Sequence, residues 1–235
     1  MGEHGQYRAL VSLIAVLAAG PAAAECRLAL LLALDISASV DPREDALQRG
    51  GLARALLAPA VVDAFLADPE RRVWLSVYEW SGPYAQAGLI DWLEIASAED
   101  LARVAGVLAG SERSRDDLPT AIGYALGHAA GLFRAGPDCA ARTLDISGDG
   151  RNNEGFPPAS AYRAFPLDGV TVNGLAIAGG EAGVAEYYRT EVIRGPGAFV
   201  IEADGFRDYE RAMRVKLLRE LQGPVIGMLA PDARG

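Results

Sequence analysis

The sequence predicts an α/β fold: a doubly wound, mostly parallel six-stranded sheet with helices on both faces and one antiparallel edge strand. Three observations carry this. Short apolar, β-branched or aromatic runs alternate with longer amphipathic stretches along the chain, the pattern of repeated βα units. Hydrophobic residues make up 51% of the chain but aromatics only 7%, so the core must be assembled mainly from Ala, Leu, Val and Ile, which suits a sheet covered by Ala-rich helices. Two of the runs are separated only by Ser81, Gly82, Pro83, Tyr84 and Ala85; they read as a hairpin whose second strand is the antiparallel edge.

The first element reads as a targeting segment. In residues 1–24 a single Arg8 precedes the apolar stretch Ala9 to Ala19, and Ala22, Ala23 and Ala24 stand before Glu25 as an A-x-A cleavage pattern. The apolar run is shorter than the roughly 20 residues needed to span a bilayer. Cys26 is not read as a lipid anchor, because Glu25 occupies the place where a lipoprotein signal wants a small residue. The expectation is an exported chain, periplasmic or secreted, with no stable membrane insertion once the signal is removed. A single domain over 25–222 and a loosely held tail over 223–235 complete the division. Glu3 and Arg8 cancel, so the exported part keeps the formal net charge of -9, which disfavours nucleic acid and anionic membrane surfaces as partners.

Strands are predicted at 28–35, 72–80, 86–92, 142–147, 169–177 and 198–203, and helices near 43–67, 98–109, 120–134, 158–165, 182–193 and 206–221. Asp41, Pro42 and Glu44 resemble an N-cap, a first-turn proline and the matching third-position acid of a capping box. That leaves residues 35–40 as the loop between the first strand and its helix. In an open parallel sheet, ligands bind beyond the carboxyl ends of the strands, at the point where the strand order reverses. The first strand ends there in Asp35, Ser37 and Ser39. Taken alone, this triplet is equally ordinary turn chemistry.

Two further stretches add to it. The segment DISGDGRNNEG from Asp145 to Gly155 ends another apolar run in Asp149-Gly150, and LPTAIGYAL from Leu118 to Leu126 places Thr120 at the start of a helix with Gly123 three residues on. The succession D-x-S-x-S, T-x-x-G-x-A-L and Asp-Gly after a strand resembles the von Willebrand factor type A domain. The resemblance covers nearly the whole exported part. It implies a Rossmann-like strand order of 3-2-1-4-5-6, with Asp35 and Asp149 on neighbouring strands at the reversal point. It also implies a metal-ion-dependent adhesion site (MIDAS) built from Asp35, Ser37, Ser39, Thr120 and Asp149. Three hydroxyls and two carboxylates suit Mg²⁺, a hard cation that takes six oxygens and keeps some of its water, with Mn²⁺ and Ca²⁺ as alternatives. The second Thr common in the family loop is Ile122 here. The strings DISASVD and DISGDGRNN also resemble a group of exported bacterial von Willebrand A-like proteins without an assigned role.

The function this implies is a metal-dependent protein-binding module that captures an Asp or Glu carboxylate of a partner protein. The competing readings are a metal-dependent hydrolase or phosphatase of α/β fold and a von Willebrand A-like scaffold that has lost its metal. Against catalysis stand the lack of a G-x-S-x-G elbow and of a phosphate loop, and a single His128 in the exported part. With the implied topology, Cys26 and Cys139 fall at the amino ends of adjacent strands, away from the metal, where a disulfide is sensible; two separate thiols are the alternative. Asp117 and Asp145 are the candidates for supporting roles around the metal, against a solvated acid and a buried structural acid respectively. Trp80 and the pair Asn152 and Asn153 read as packing and turn residues.

Overall fold

A computed structural model describes residues 25–222 of the chain. The expected signal segment and the tail lie outside the described residues. In order come β1 (Glu25–Asp35), α1 (Pro42–Leu56), α2 (Pro59–Leu66), β2 (Arg71–Trp80), β3 (Gln86–Ile95), α3 (Ala98–Gly110), α4 (Ile122–Ala135), β4 (Ala141–Gly148), α5 (Pro158–Ala164), β5 (Val170–Ile177), α6 (Val184–Tyr187), β6 (Val200–Ala203) and α7 (Tyr209–Leu221). The six strands form one sheet in the order β3-β2-β1-β4-β5-β6. Only the β2–β3 pair is antiparallel.

Strand β1 is central, with β2 on one side and β4 on the other, so both of its faces must be apolar. Leu28, Leu30, Leu32 and Leu34 point into one core, together with residues of α1, α2, α3 and α7. Ala29, Leu31 and Ala33 point into the other, together with residues of α4, α5 and α6. The period-2 alternation of a strand therefore feeds two helix layers from one apolar run.

The start of α1 is fixed by the expected capping box: the Asp41 carboxylate accepts from the Arg43 and Glu44 backbone N–H groups, and Glu44 accepts from the Asp41 N–H at 2.9 Å. The single helix expected over 43–67 is two helices. Pro59 has no N–H to continue the ladder and drives Ala58 to an extended ψ of 130°, which ends α1 and starts α2. The helix expected over 182–193 is a single α-helical turn, α6, that widens into a π-helical turn at Tyr188–Val192. The last expected helix opens as a 3-10 turn at Phe206–Asp208 before α7.

Two buried ionic groups brace the sheet from the α1–α7 side. Lys216, fully buried on α7, lies 2.8 Å from Asp145 and 2.6 Å from Glu220. Arg49 on α1 is held between Asp45 and Glu79, and the other oxygen of Glu79 accepts from the Ser114 N–H at 2.9 Å. At the amino edge of the sheet, Cys26 and Cys139 are joined in a disulfide with their Cα atoms 4.6 Å apart.

Candidate metal centre

The carboxyl ends of β1 and β4 meet at the reversal of the strand order, and the chain leaves both in tight loops. Asp35 is the last residue of β1 and fully buried. Its Oδ1 accepts from the Ser37 N–H at 2.8 Å, so the carboxylate is turned back over its own loop. Its carbonyl accepts from the Gln48 side chain of α1 at 2.8 Å. The loop is clamped from the side by the Ala38 N–H donating to the Leu118 carbonyl at 2.8 Å and by Arg113 donating to the Val40 carbonyl.

The hydroxyls of Ser37 and Ser39 lie 3.2 Å apart, and that of Ser39 donates to Asp149 Oδ1 at 2.7 Å. Four of the five expected ligands are thereby linked in sequence: Asp35 to Ser37, Ser37 to Ser39, Ser39 to Asp149. Thr120 faces this group from the third segment. It lines, with Ser39, Asp149, Gly150, Gly180, Asp117 and Glu181 among others, a cleft of about 420 Å³. Its Oγ1 would stand 3.3 Å from a Cβ on Gly150.

Thr120 is held by two residues that read in the sequence only as turn formers. Asn153 Oδ1 accepts from the Thr120 N–H at 2.9 Å, while the Asn153 N–H donates to the Thr120 carbonyl at 2.9 Å. Asn152 Oδ1 accepts from the Gly123 N–H at 3.1 Å, satisfying a first-turn donor of α4. The legible signal was their position one residue beyond Asp149-Gly150, after Arg151. Gly123 must be glycine, because a Cβ there would lie 2.0 Å from the Phe156 carbonyl oxygen.

Asp117 lies on the rim of the cleft and pairs with Arg115 at 3.4 Å. Asp145 does not join the cluster: the supporting role considered for it is replaced by its ion pair with Lys216. The physical reason is strand alternation, since odd-numbered positions of β4 such as Asp145 and Ser147 face α7. Trp80 packs fully buried in the same core as Ile122, Ala125 and Leu126 of α4. The His128 ring packs against that of Tyr78, tilted by 53° with centroids 5.0 Å apart.

The electrostatics favour a cation. Burial, then the neighbouring Asp149 carboxylate, push the Asp35 carboxyl up to about 7; burial likewise raises Asp149. Asp35 Oδ2 has no hydrogen-bond partner among the described residues, and a buried anionic oxygen left so is costly. Among the described residues no group of three or more His, Cys, Asp and Glu side chains converges on a metal position, so a centre here must draw on hydroxyls. The donor set is hard oxygen throughout, which fits Mg²⁺, Mn²⁺ or Ca²⁺ in type.

The family model described as Protein of unknown function (DUF1194) matches residues 25–225. No curated protein sequence matches. Among solved structures, the chain is similar to proximal thread matrix protein 1 (PTMP1) from the mussel byssus with a zinc-occupied MIDAS motif, at 17% identity and a TM-score of 0.62, over 85% of this chain and 48% of that one. It is similar to the von Willebrand factor type A protein from Catenulispora acidiphila at 16% identity and a TM-score of 0.61, over 84% and 43%. It is similar to BatB from Bacteroides thetaiotaomicron at 16% identity and a TM-score of 0.53, over 83% and 98%. The chain thus spans about half the length of the mussel protein and most of BatB. At these identities the likeness is one of fold. The chain belongs to the DUF1194 family, and its domain has the von Willebrand factor type A fold.

Proposed function

We propose that this protein is an exported, metal-dependent protein-binding module, in which Asp35, Ser37, Ser39, Thr120 and Asp149 hold one Mg²⁺ and the partner is a protein presenting Asp or Glu. The observation that carries the reading is the chain of oxygens from Asp35 through Ser37 and Ser39 to Asp149, opening on a cleft lined by Thr120. When bound, the cation supplies positive charge and an open coordination position that a carboxylate can fill.

The protein's own residues set the charge and the geometry. Asp35 and Asp149 contribute the two negative charges that balance a divalent ion, and the hydroxyls add neutral ligands without further repulsion. Gln48, Asn152 and Asn153 hold the three loops in place, so little ordering is left to be done on binding. Asp117 and Glu181 on the rim keep the cleft negative when no cation is present, which steers cations in and a free carboxylate away. Capture of an acidic partner is therefore conditional on the metal. The same fold carries a zinc-occupied MIDAS motif in the mussel matrix protein and occurs in a pilus adhesin, SpaC from Lactobacillus rhamnosus GG. The Cys26–Cys139 disulfide suits an oxidising compartment, in keeping with export. Among the described residues no helix is long and apolar enough to cross a membrane.

Affinity capture from a periplasmic extract tests the reading, with the protein immobilised in Mg²⁺, in EDTA, and as Asp149→Ala in Mg²⁺. The reading expects a protein retained in Mg²⁺ alone. Equal retention in all three arms would refute a metal-bridged contact.

A further inference from the structure

The turn between β2 and β3 holds a tyrosine where the backbone calls for glycine. Gly82, Pro83, Tyr84 and Ala85 form a β-turn closed by the Ala85 N–H donating to the Gly82 carbonyl at 3.2 Å. With proline second and a positive φ third, such a turn ordinarily has glycine or asparagine in the third place. Tyr84 stands there at φ 59°, the one non-glycine residue with a positive φ among the described residues. It is 88% exposed, so little burial offsets the backbone strain, and strain of this kind gathers at functional sites.

Tyr84 is the outer end of a row of rings. It meets Tyr124 of α4 edge to face with centroids 5.2 Å apart, and Tyr124 lies 4.4 Å from Phe156. The row adjoins the cleft. Tyr124 follows Thr120 by four residues, the Glu154 N–H donates to the Thr120 carbonyl at 3.3 Å, and the Ala121 N–H donates to the Ser81 carbonyl at 3.0 Å. The surface these rings offer is negative. Aromatic faces carry partial negative charge, and the exposed Glu154 stands near them: the Tyr84 side chain first, and Glu154 after it, push the Tyr124 phenol above its usual value. Among the described residues no cation of the chain answers this charge. The Arg and Lys groups that lie over rings lie over Tyr162 and Phe199, and Glu154 enters no ion pair.

We propose that Tyr84, Tyr124 and Glu154 form a docking surface for a lysine or arginine side chain of the partner protein, beside the acid that the metal captures. An ammonium or guanidinium group placed over the ring faces is attracted by their quadrupole and comes near the Glu154 carboxylate. The strain at Tyr84 is kept because glycine in the turn would remove the outer ring. The partner thus presents an acid and a base together, and the second contact distinguishes it from other acidic proteins. The inference deepens the reading proposed above and rests on it for the acid; the ring surface itself needs no metal.

The test is nuclear magnetic resonance of the ¹⁵N-labelled protein, wild type and Tyr84→Gly, titrated with the peptide acetyl-Gly-Arg-Gly-amide and its Gln and Leu counterparts. In EDTA, the Arg peptide should shift the Tyr84 and Tyr124 amide signals with an affinity about threefold above that of the other two, the scale of an exposed cation–π contact. Tyr84→Gly should abolish that preference and melt close to the wild type, since glycine accepts this φ. In Mg²⁺, peptides joining Asp to Arg through glycine linkers of increasing length should, at one length, bind about threefold tighter than their Asp and Gln counterparts. Equal affinity of the three peptides, tighter binding of the Leu peptide, or a preference for Arg that survives in Tyr84→Gly would overturn the docking surface. A large loss of stability in Tyr84→Gly would also overturn it, by making the ring a structural one. An Arg preference at Tyr84 in EDTA, with no Asp peptide gaining affinity from Mg²⁺, would support the ring surface and overturn the metal-binding reading alone.

Discussion

The Ser39 hydroxyl donates to Asp149 Oδ1 at 2.7 Å, joining residues 110 apart in sequence at the carboxyl ends of two neighbouring strands. This contact closes the oxygen cluster. It exists because β1 and β4 pair in parallel, with Leu34 beside Ser147, so the loops leaving both strands start at the same level. The predictions below follow from that arrangement.

Gly123 should not tolerate a side chain. A Cβ would meet the backbone of Phe156 at 2.0 Å and its ring at 2.7 Å, and neither can retreat without moving the loop that carries Asn152 and Asn153. Gly123→Ala is expected to cost about 3 kcal/mol, the upper end of the usual range for overpacking, read by urea denaturation. Metal affinity should fall with it, since Asn153 holds Thr120.

Metal uptake should depend on pH. With the Asp35 carboxyl pushed up to about 7, protons compete with the cation below neutrality, so affinity for Mg²⁺ should rise from pH 5.5 to pH 8 with release of a proton. The stability of EDTA-treated protein should run the other way. A carboxyl whose folded pKa lies above the usual value of about 4 makes the folded state hold more protons than the unfolded chain between about pH 4 and pH 7, and stability then falls as pH rises through that window. Thermal melts in EDTA and calorimetry in buffers of different protonation enthalpy check both signs.

How much of this was legible in the sequence depends on how local the cause is. The strands and the capping box at Asp41 were readable because apolar alternation and cap chemistry are written in adjacent residues, whereas the strand order was implied by the resemblance to the von Willebrand factor type A domain. The five oxygens proposed to hold the cation were picked out by the resemblance to the von Willebrand factor type A domain, at the end of the first strand, at the start of a helix and after a later strand. The break at Pro59 was there to be read but was masked by the continuing apolar pattern on both sides. Gln48, Asn152 and Asn153 were not readable as braces of these loops: each acts on a segment brought near only by the fold, as Asn153 does on Thr120, 33 residues away. Asp145 was ambiguous until strand alternation turned it to Lys216 on α7.

The buried group of Lys216, Asp145 and Glu220 should be sensitive to loss of its single cation. Lys216→Met would leave two buried carboxyls facing each other, and breaking a buried pair typically costs about 3 to 5 kcal/mol. Guanidinium denaturation should show the loss. The double variant Lys216→Met with Asp145→Asn should recover part of it, because the remaining charge is smaller.

Reduction of the Cys26–Cys139 bond should lower stability without touching the site. The bond closes a separation of 113 residues and is expected to contribute about 2 to 4 kcal/mol. Because it lies at the amino edge of the sheet, opposite the cleft, the paired Cys26→Ser and Cys139→Ala variant should melt at a lower temperature yet bind Mg²⁺ as the wild type does.

The most direct measurement is calorimetric titration of Mg²⁺ into the purified protein, beside Asp35→Ala and Thr120→Ala variants shown by circular dichroism to be folded. The account predicts one site per chain in the wild type and none in either variant. Binding of equal strength in all three, or no binding in the wild type, would contradict it.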